Sequence, residues 1–327
     1  MKKKILFVGG SSFLAHSWCN YLDNNSEIFL GVHNRVPELK NYSKIELDFD
    51  SEKDLIEKIG SLNLDLIINC MGYTNVENCE INYKDAIKIN SDYASKIAKI
   101  SKKLKLKLVH ISTDHLFDGK TKNNNENSEP NPINNYAKSK LEGEKQVSKF
   151  NKDALIIRTN FFGWGPTYKK SFSDFIISSL ENNLSISLFS DVNYNPILVS
   201  ELANAVNKLI DKKCKGIYNV VSPQPISKLN FGNLLSKEFN LDEKLITSSL
   251  LADRKELVDR PFDMTLSSKK LNSEGVFIKN LEEQVRYLKK QRPNLDHKLI
   301  NKKIIPYGRQ NVSEKDIQEV VKVLKSD

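Results

Sequence analysis

What most constrains this chain is an alternation. Through its first half, short apolar runs recur: KILFV (4–8), EIFLGV (27–32), KIELDF (44–49), LDLIINC (64–70), KLVHIS (107–112) and DALIIRT (153–159). Between them lie stretches with helical character, among them residues after Phe13, the segment 51–60 opened by Ser51, and 82–103. Strands that alternate with helices are joined by crossovers, and such crossovers build a parallel sheet covered on both faces. LDLIINC is nearly continuous in apolar residues, as a strand buried on both faces must be.

The pattern therefore predicts an α/β fold, a Rossmann-type doubly wound parallel sheet, over residues 1–160. Beyond it the runs shorten: ISLFS, a helix from Ser200 to about Asp211, GIYNVV, a helix near 227–239 and the amphipathic LEEQVRYLKKQ (281–291). These suggest a smaller mixed α/β substrate-binding domain over 161–295, with some strands returning to the sheet. Residues 296–327 read as a linker and a helix.

Composition removes several function classes. No run approaches the roughly 18 consecutive apolar residues of a membrane span. The lysines at 2–4 precede an apolar stretch broken at Gly9 and Gly10, too short for a secretory h-region. A cytoplasmic protein with no membrane partner is the expectation. Cys19, Cys70, Cys79 and Cys214 show no metal-ligand spacing, so they read as reduced thiols and no metal site is assigned. The net charge is +9, but the lysines are scattered among acids and form no compact basic face with interleaved aromatics. Nucleic acid is not an expected partner.

Ligands of an open parallel sheet bind beyond the carboxyl ends of its strands. In this chain those positions hold GGSSFLA, Asp48 and Phe49, CMGYT, STDHLFDG and RTNFFG in turn, which gathers small and polar residues along one edge. FVGGSSFLA has the outline of a phosphate-cradling turn, with Ser12 and Ala15 where glycine is usual. The long polar segment DGKTKNNNENSEPNPINN that follows the fifth strand is either functional or disordered.

YAKSK sharpens the reading. On a helix, Tyr136 and Lys140 share a face. A free phenol ionises near pH 10, and a neighbouring ammonium lowers that value. A phenol so tuned can give a proton to a ketone oxygen as hydride reaches the carbon. Thr113, at the end of the fifth strand, could hydrogen-bond the same oxygen.

These blocks resemble a family. INCMGYTNVENCE, KINSDYA, LVHISTDHLFDG and EPNPINNYAKSKLEGE, followed by IIRTNFFGWG, DVNYNPILVSELA and RPFDMTLSSKKL, are similar to the dTDP-4-dehydrorhamnose reductases of the extended short-chain dehydrogenase/reductase superfamily. The resemblance runs over about residues 3–290. It implies a Rossmann fold with NADPH or NADH, and reduction of the 4-keto group of a nucleotide-linked 6-deoxy sugar in polysaccharide biosynthesis. It makes Tyr136 the general acid, Lys140 its partner and ribose ligand, and Thr113 the polarising hydroxyl. Gly9, Ser12, Phe13 and Leu14 would meet the pyrophosphate, Asp48 and Phe49 the adenine, and Cys70, Met71, Gly72 and Thr74 would line the cofactor, with Asn90 bracing the strand ends. Asn34 and Arg35 stand where a carboxylate would bond the ribose 2′-hydroxyl, and arginine suits a 2′-phosphate, so NADPH is favoured.

Asp114, His115, Asn160, Phe161 and Arg260 fall at the sugar pocket. His115, Asn160, Phe161 and the NYNPI turn (193–197) depart from the family pattern, so the sugar need not be rhamnose. Some relatives require a divalent metal, which leaves Mg2+ open, as is a homodimer. Two rival readings stand beside the reductase: a nucleotide-sugar epimerase or dehydratase using Asp114 beside Thr113, and a non-catalytic cofactor-binding regulatory subunit.

The tail differs in kind. IIPYGRQNVSEKDIQEVVKVLKSD (304–327) resembles the opening of PLP-dependent nucleotide-sugar aminotransferases, with Ser313 capping a helix and Glu314 and Asp316 in its first turn. The resemblance implies fusion to, or association with, such an aminotransferase. No PLP lysine is reached before Asp327.

Overall fold

The computed structural model describes residues 2–19, 21–22, 26–33, 37, 39 and 42–292. Asn34 and Arg35 lie outside the described residues, as does the whole tail with Ser313, Glu314 and Asp316. Residues 1–291 pack as one compact unit. Of residues 292–327, only Arg292 is described.

Six strands arise from the six apolar runs: β1 (Lys3–Val8), β2 (Ser26–Val32), β3 (Ser43–Glu46), β4 (Leu66–Asn69), β5 (Lys107–Ile111) and β6 (Leu155–Arg158). The strand Gly216–Asn219 joins them, and the seven form one sheet in the order Gly216–Asn219, β6, β5, β4, β1, β2, β3. Every pairing is parallel. The order reverses at β1, which sets Val8 opposite both Gly31 and Asn69. A crevice therefore opens outside the carboxyl ends of β1 and β4, where such sheets bind ligands.

Side chains alternate between two buried apolar layers, as the strand period demands. Phe7, Trp18, Ile68, Val109 and Leu202 fill one, and Leu6, Val8, Ile67, Ile97 and Ile156 the other. A third cluster, around Phe162, Ile176, Leu188, Tyr194, Phe231 and Val285, belongs to the C-terminal segments, where three two-stranded sheets form. No helix among the described residues is long and apolar enough to cross a membrane.

Three local departures from the sequence pattern matter for the site. KIELDF leaves the sheet at Glu46, and Asp48 then accepts the Asp50 amide in a turn at 2.9 Å. The stretch 82–103 is not one helix: Tyr83–Ile87 passes through a π turn, Lys88–Asp92, into Tyr93–Lys103. Such turns are frequent at functional sites, and this one contains Asn90.

The long polar segment is held in place. The Asn124 amide donates to the Thr265 carbonyl at 3.0 Å, and Ser267 returns a bond to the Asn124 carbonyl at 2.9 Å. Asn134 then caps the helix Asn135–Phe150 by accepting the Ala137 amide at 2.9 Å, while its side-chain amide donates to the Asp259 carbonyl at 2.9 Å. The start of the YAKSK helix is thus fixed from both sides.

Candidate active site

The turn after β1 decides how close two strand ends come. Gly9 has φ +80°, and a Cβ there would lie 2.8 Å from the Met71 backbone. Only glycine combines that dihedral with that approach. The Ser12 amide donates to the Gly9 carbonyl at 2.8 Å, and the Ser12 hydroxyl oxygen accepts the Ala15 amide at 3.1 Å. Ser12 is therefore the N-cap of the helix Phe13–Cys19. The amides of Phe13 and Leu14 come before the first intrahelical hydrogen bond and point out of the helix end. Leu14 itself is buried in the core, so it offers a ligand its backbone alone. Phe13 packs on Phe161 with ring centroids 5.5 Å apart.

Beyond β4, two asparagines shape the loop. Asn69 accepts the Met71 amide at 3.2 Å and its side-chain amide lies 3.1 Å from His110 Nδ1. Burial, reinforced by Lys140, holds His110 well below the usual imidazole range, so it stays neutral and accepts this bond. Asn90 receives the Tyr73 amide at 2.8 Å and donates to the Tyr73 carbonyl at 3.0 Å and to Ser139 Oγ at 2.8 Å. It thereby ties the Cys70–Thr74 loop to the helix that carries Tyr136. Gly72 lies under Asn90, where a Cβ would sit 3.4 Å from its Oδ1 and from Thr74 Cγ2. Phe49 stacks on Tyr93 with centroids 4.5 Å apart and an interplanar angle of 24°. Asp48 beside it is exposed.

At the ends of β5 and β6 the remaining side chains converge. Lys140 is buried and donates from Nζ to the Ile111 carbonyl at 2.8 Å, and burial lowers its pKa to about 8 against the pull of Glu144. Tyr136, one turn earlier, is also buried, with its ring edge-to-face to His115 at 5.6 Å. Thr113 Oγ1 donates to Asp114 Oδ1 at 3.3 Å and accepts the His115 amide at 3.3 Å. Asp114 accepts from Asn160 Nδ2 at 2.8 Å. It is 1 % exposed, and burial raises its carboxyl to about 6. His115 is pushed down to about 3 by burial, with Lys228 and Arg260 adding to the effect.

The structure thus gathers Thr113, Asp114, His115, Tyr136, Lys140 and Asn160 at one edge, with the Gly9–Leu14 turn and the Cys70–Thr74 loop on the adjoining strands. Arg260 is paired with Glu77. The sequence reading passed over Tyr93, the Asn69–His110 pair, Ser139 and Lys228. All but Lys228 lie within the quoted blocks, and each is singled out only by its contacts with residues distant in sequence. Among the described residues, no group of three or more His, Cys, Asp or Glu side chains could hold a metal ion.

Residues 3–292 match the family described as RmlD substrate binding domain. The chain belongs to this family. The Haloferax volcanii protein named "Probable low-salt glycan biosynthesis reductase Agl14" is 32% identical over 221 residues, 66% of this chain and 72% of the relative. The Bacillus subtilis spore coat polysaccharide biosynthesis protein SpsK is 28% identical over 285 residues, 86% of this chain and 95% of SpsK. The fold is that of a Bacillus anthracis dTDP-4-dehydrorhamnose reductase crystallised in complex with NADP, at a TM-score of 0.80 and 24% identity, covering 89% of this chain and 100% of the other. The RmlD-family match takes in all the gathered side chains above, from Gly9 to Arg260.

Proposed function

We propose that this chain is an NAD(P)H-dependent reductase of the 4-keto group of a nucleotide-linked 6-deoxy sugar, acting in glycan or polysaccharide biosynthesis. The observation that carries the reading is the Lys140 ammonium bonded to the end of β5, one helical turn from Tyr136 and two residues from Thr113.

The residues fit a dinucleotide. The Gly9 turn and the Ser12 cap leave the Phe13 and Leu14 amides facing the crevice for a pyrophosphate. The turn after β3, with Phe49 buried against Tyr93 and Asp48 exposed, is where an adenine would lie, and Cys70, Met71, Gly72 and Thr74 would line the cofactor. When bound, the nicotinamide cofactor supplies the hydride. Tyr136 gives its phenolic proton to the reduced oxygen, and Thr113 Oγ1 orients that oxygen. The Lys140 ammonium, held by the Ile111 carbonyl, favours the phenolate that remains. NADPH is preferred to NADH on the strength of Arg35.

Reaction of a panel of nucleotide-linked 4-keto sugars, followed by NADPH absorbance with NADH in parallel, tests the reading. Stoichiometric loss of NADPH is expected, reduced at least a hundredfold in rate by Tyr136→Phe. Asp114 next to Thr113 is the feature a dehydratase would use, and turnover with cofactor unchanged would replace the reductase by that reading. Retention of full activity in Tyr136→Phe would remove the phenol from the mechanism.

A further inference from the structure

Lys228 opens the helix Lys228–Phe239, directly after its cap Ser227. A cation in the first turn of a helix opposes the helix dipole, which favours anions there. Its side chain nevertheless lies inward, with Nζ 4.3 Å from the ring centroid of Tyr194 and 4.6 Å from that of Phe172. Two aromatic faces attract and orient an ammonium but take none of its three N–H donors.

Other inward-turned lysines of this chain donate to a carbonyl: Lys140 to Ile111, Lys96 to Phe49 and Lys270 to Ile217, at 2.8, 2.6 and 2.7 Å. The Lys228 ammonium has no hydrogen-bond acceptor and no carboxylate at ion-pair distance among the described residues. Asp114, the acid that feels its charge, already has Asn160 on one oxygen and Thr113 on the other. Lys228, Asp114, His115 and Arg260 perturb one another electrostatically. Tyr194, which flanks it, lies three residues before Ile197, whose amide donates to the carbonyl of Asn160, the partner of Asp114, at 2.9 Å, so the ammonium lies on the sugar side of the crevice near the Thr113–His115 segment. In the same place His115 Nδ1 is buried with no partner.

Lys228 is half-buried, and an ammonium set between two rings, against the helix dipole and with no protein acceptor among the described residues, gains from an anion that meets it. From this arrangement we infer that Lys228 is a specificity-determining residue whose ammonium, held between Tyr194 and Phe172, takes a phosphoryl oxygen of the substrate's diphosphate. The inference rests on the nucleotide-sugar reading: in such a substrate the diphosphate adjoins the sugar, and its charge matches a cation placed beside the residues around the keto carbon. Phosphoryl oxygens would engage the unused donors in charge-assisted hydrogen bonds.

Calorimetry on the full chain with NADPH present tests it, using dTDP, UDP and dTMP as probes. Wild type should bind dTDP or UDP more tightly than dTMP. Lys228→Met, which keeps an unbranched chain between the two rings, should lose about tenfold or more in diphosphate affinity, with dTMP and NADPH affinities changed little. Lys228→Arg should restore part of the loss. Lys228→Gln supplies the same comparison if methionine disturbs NADPH binding. Equal diphosphate affinity in wild type and in the uncharged variants that still bind NADPH would overturn the role of Lys228 and leave the reductase reading standing, with a carboxylate on the sugar then the anion to try. Failure of wild type to bind dTDP and UDP while it binds NADPH would overturn the nucleotide-sugar reading itself.

Discussion

The Lys140 ammonium is bound to the carbonyl oxygen of Ile111 at 2.8 Å, which fixes the charge of the Asn135–Phe150 helix against the last residue of β5. Thr113 follows two residues later. Tyr136, Lys140 and Thr113 are thereby set relative to one another by one contact between a helix and a strand end.

That contact has a pH signature. Burial lowers the Lys140 pKa to about 8, while Glu144 and Cys70 pull it upward. Below this value the side chain is charged and supports Tyr136; above it the ammonium is progressively lost. At saturating NADPH and sugar, kcat should fall as pH rises through about 8. In Lys140→Arg, whose charge persists at high pH, any residual activity should fall only at higher pH. A pH–rate profile of both proteins checks this. An identical descending limb in the two would mean that another group sets it.

Asp114 makes a prediction about stability. Burial raises its carboxyl from about 3.8 to about 6, so the folded protein binds this proton more tightly than the unfolded chain. The stabilising effect of that proton is complete below about 3.8 and disappears as pH rises through 6. Near pH 8 the ionised carboxylate costs up to roughly 3 kcal/mol, the attraction of Lys228 already included. Asp114→Asn can still accept from Asn160, so it should stabilise the protein by about 1–2 kcal/mol at pH 8. The advantage should shrink below pH 6. Thermal unfolding of both proteins at pH 8 and pH 5 measures the difference, and a gain that grew toward pH 5 would contradict the assignment.

The sheet was legible because its signal is local: each strand is an apolar run of the right length, and each run is followed by the residues that line the crevice. YAKSK was legible for the same reason, since a helical face needs only a spacing of four. What escaped was pairwise and remote. The π turn at Lys88–Asp92 depends on Asn90 reaching Tyr73 and Ser139, and on Gly143 from another helix. The Tyr93–Phe49 stack joins residues 44 positions apart, and Lys228 becomes informative only once Phe172 and Tyr194 are seen around it. Propensity and periodicity carry no information about such contacts.

Ser12 separates two roles of the modified glycine-rich turn. As N-cap it accepts the Ala15 amide, so Ser12→Ala should cost about 1 kcal/mol and Ser12→Gly only a few tenths. The crevice side of the loop follows a different order. Ser12→Gly keeps the backbone free to approach a phosphate and should bind NADPH within a few-fold of wild type. Ser12→Ala weakens the helix end that presents the Phe13 and Leu14 amides and should bind it less tightly than the glycine variant. Chemical denaturation and NADPH calorimetry on the pair resolve the two effects. The serine is an accessory to the turn if neither variant changes either quantity.

Gly143 tests whether the π turn matters to the cofactor crevice. It lies on the helix of Tyr136 and Lys140, and a Cβ there would come within 2.2 Å of the Asn90 carbonyl oxygen. The obstacle is backbone rather than the end of a flexible side chain, so Gly143→Ala must push the π turn away from the helix. Overpacking of this kind costs about 1–3 kcal/mol, more than alanine's better helix propensity returns, at about 1 kcal/mol. The displaced segment carries Asn90, whose bonds to Tyr73 and Ser139 set the loop after β4. Gly143→Ala should therefore lower thermal stability and weaken NADPH binding together. Asn90→Ala, which removes the bonds and leaves the packing of Gly143 intact, should weaken NADPH binding as well. If Gly143→Ala lost stability while both variants kept wild-type cofactor affinity, the π turn would be a packing feature of the two helices alone.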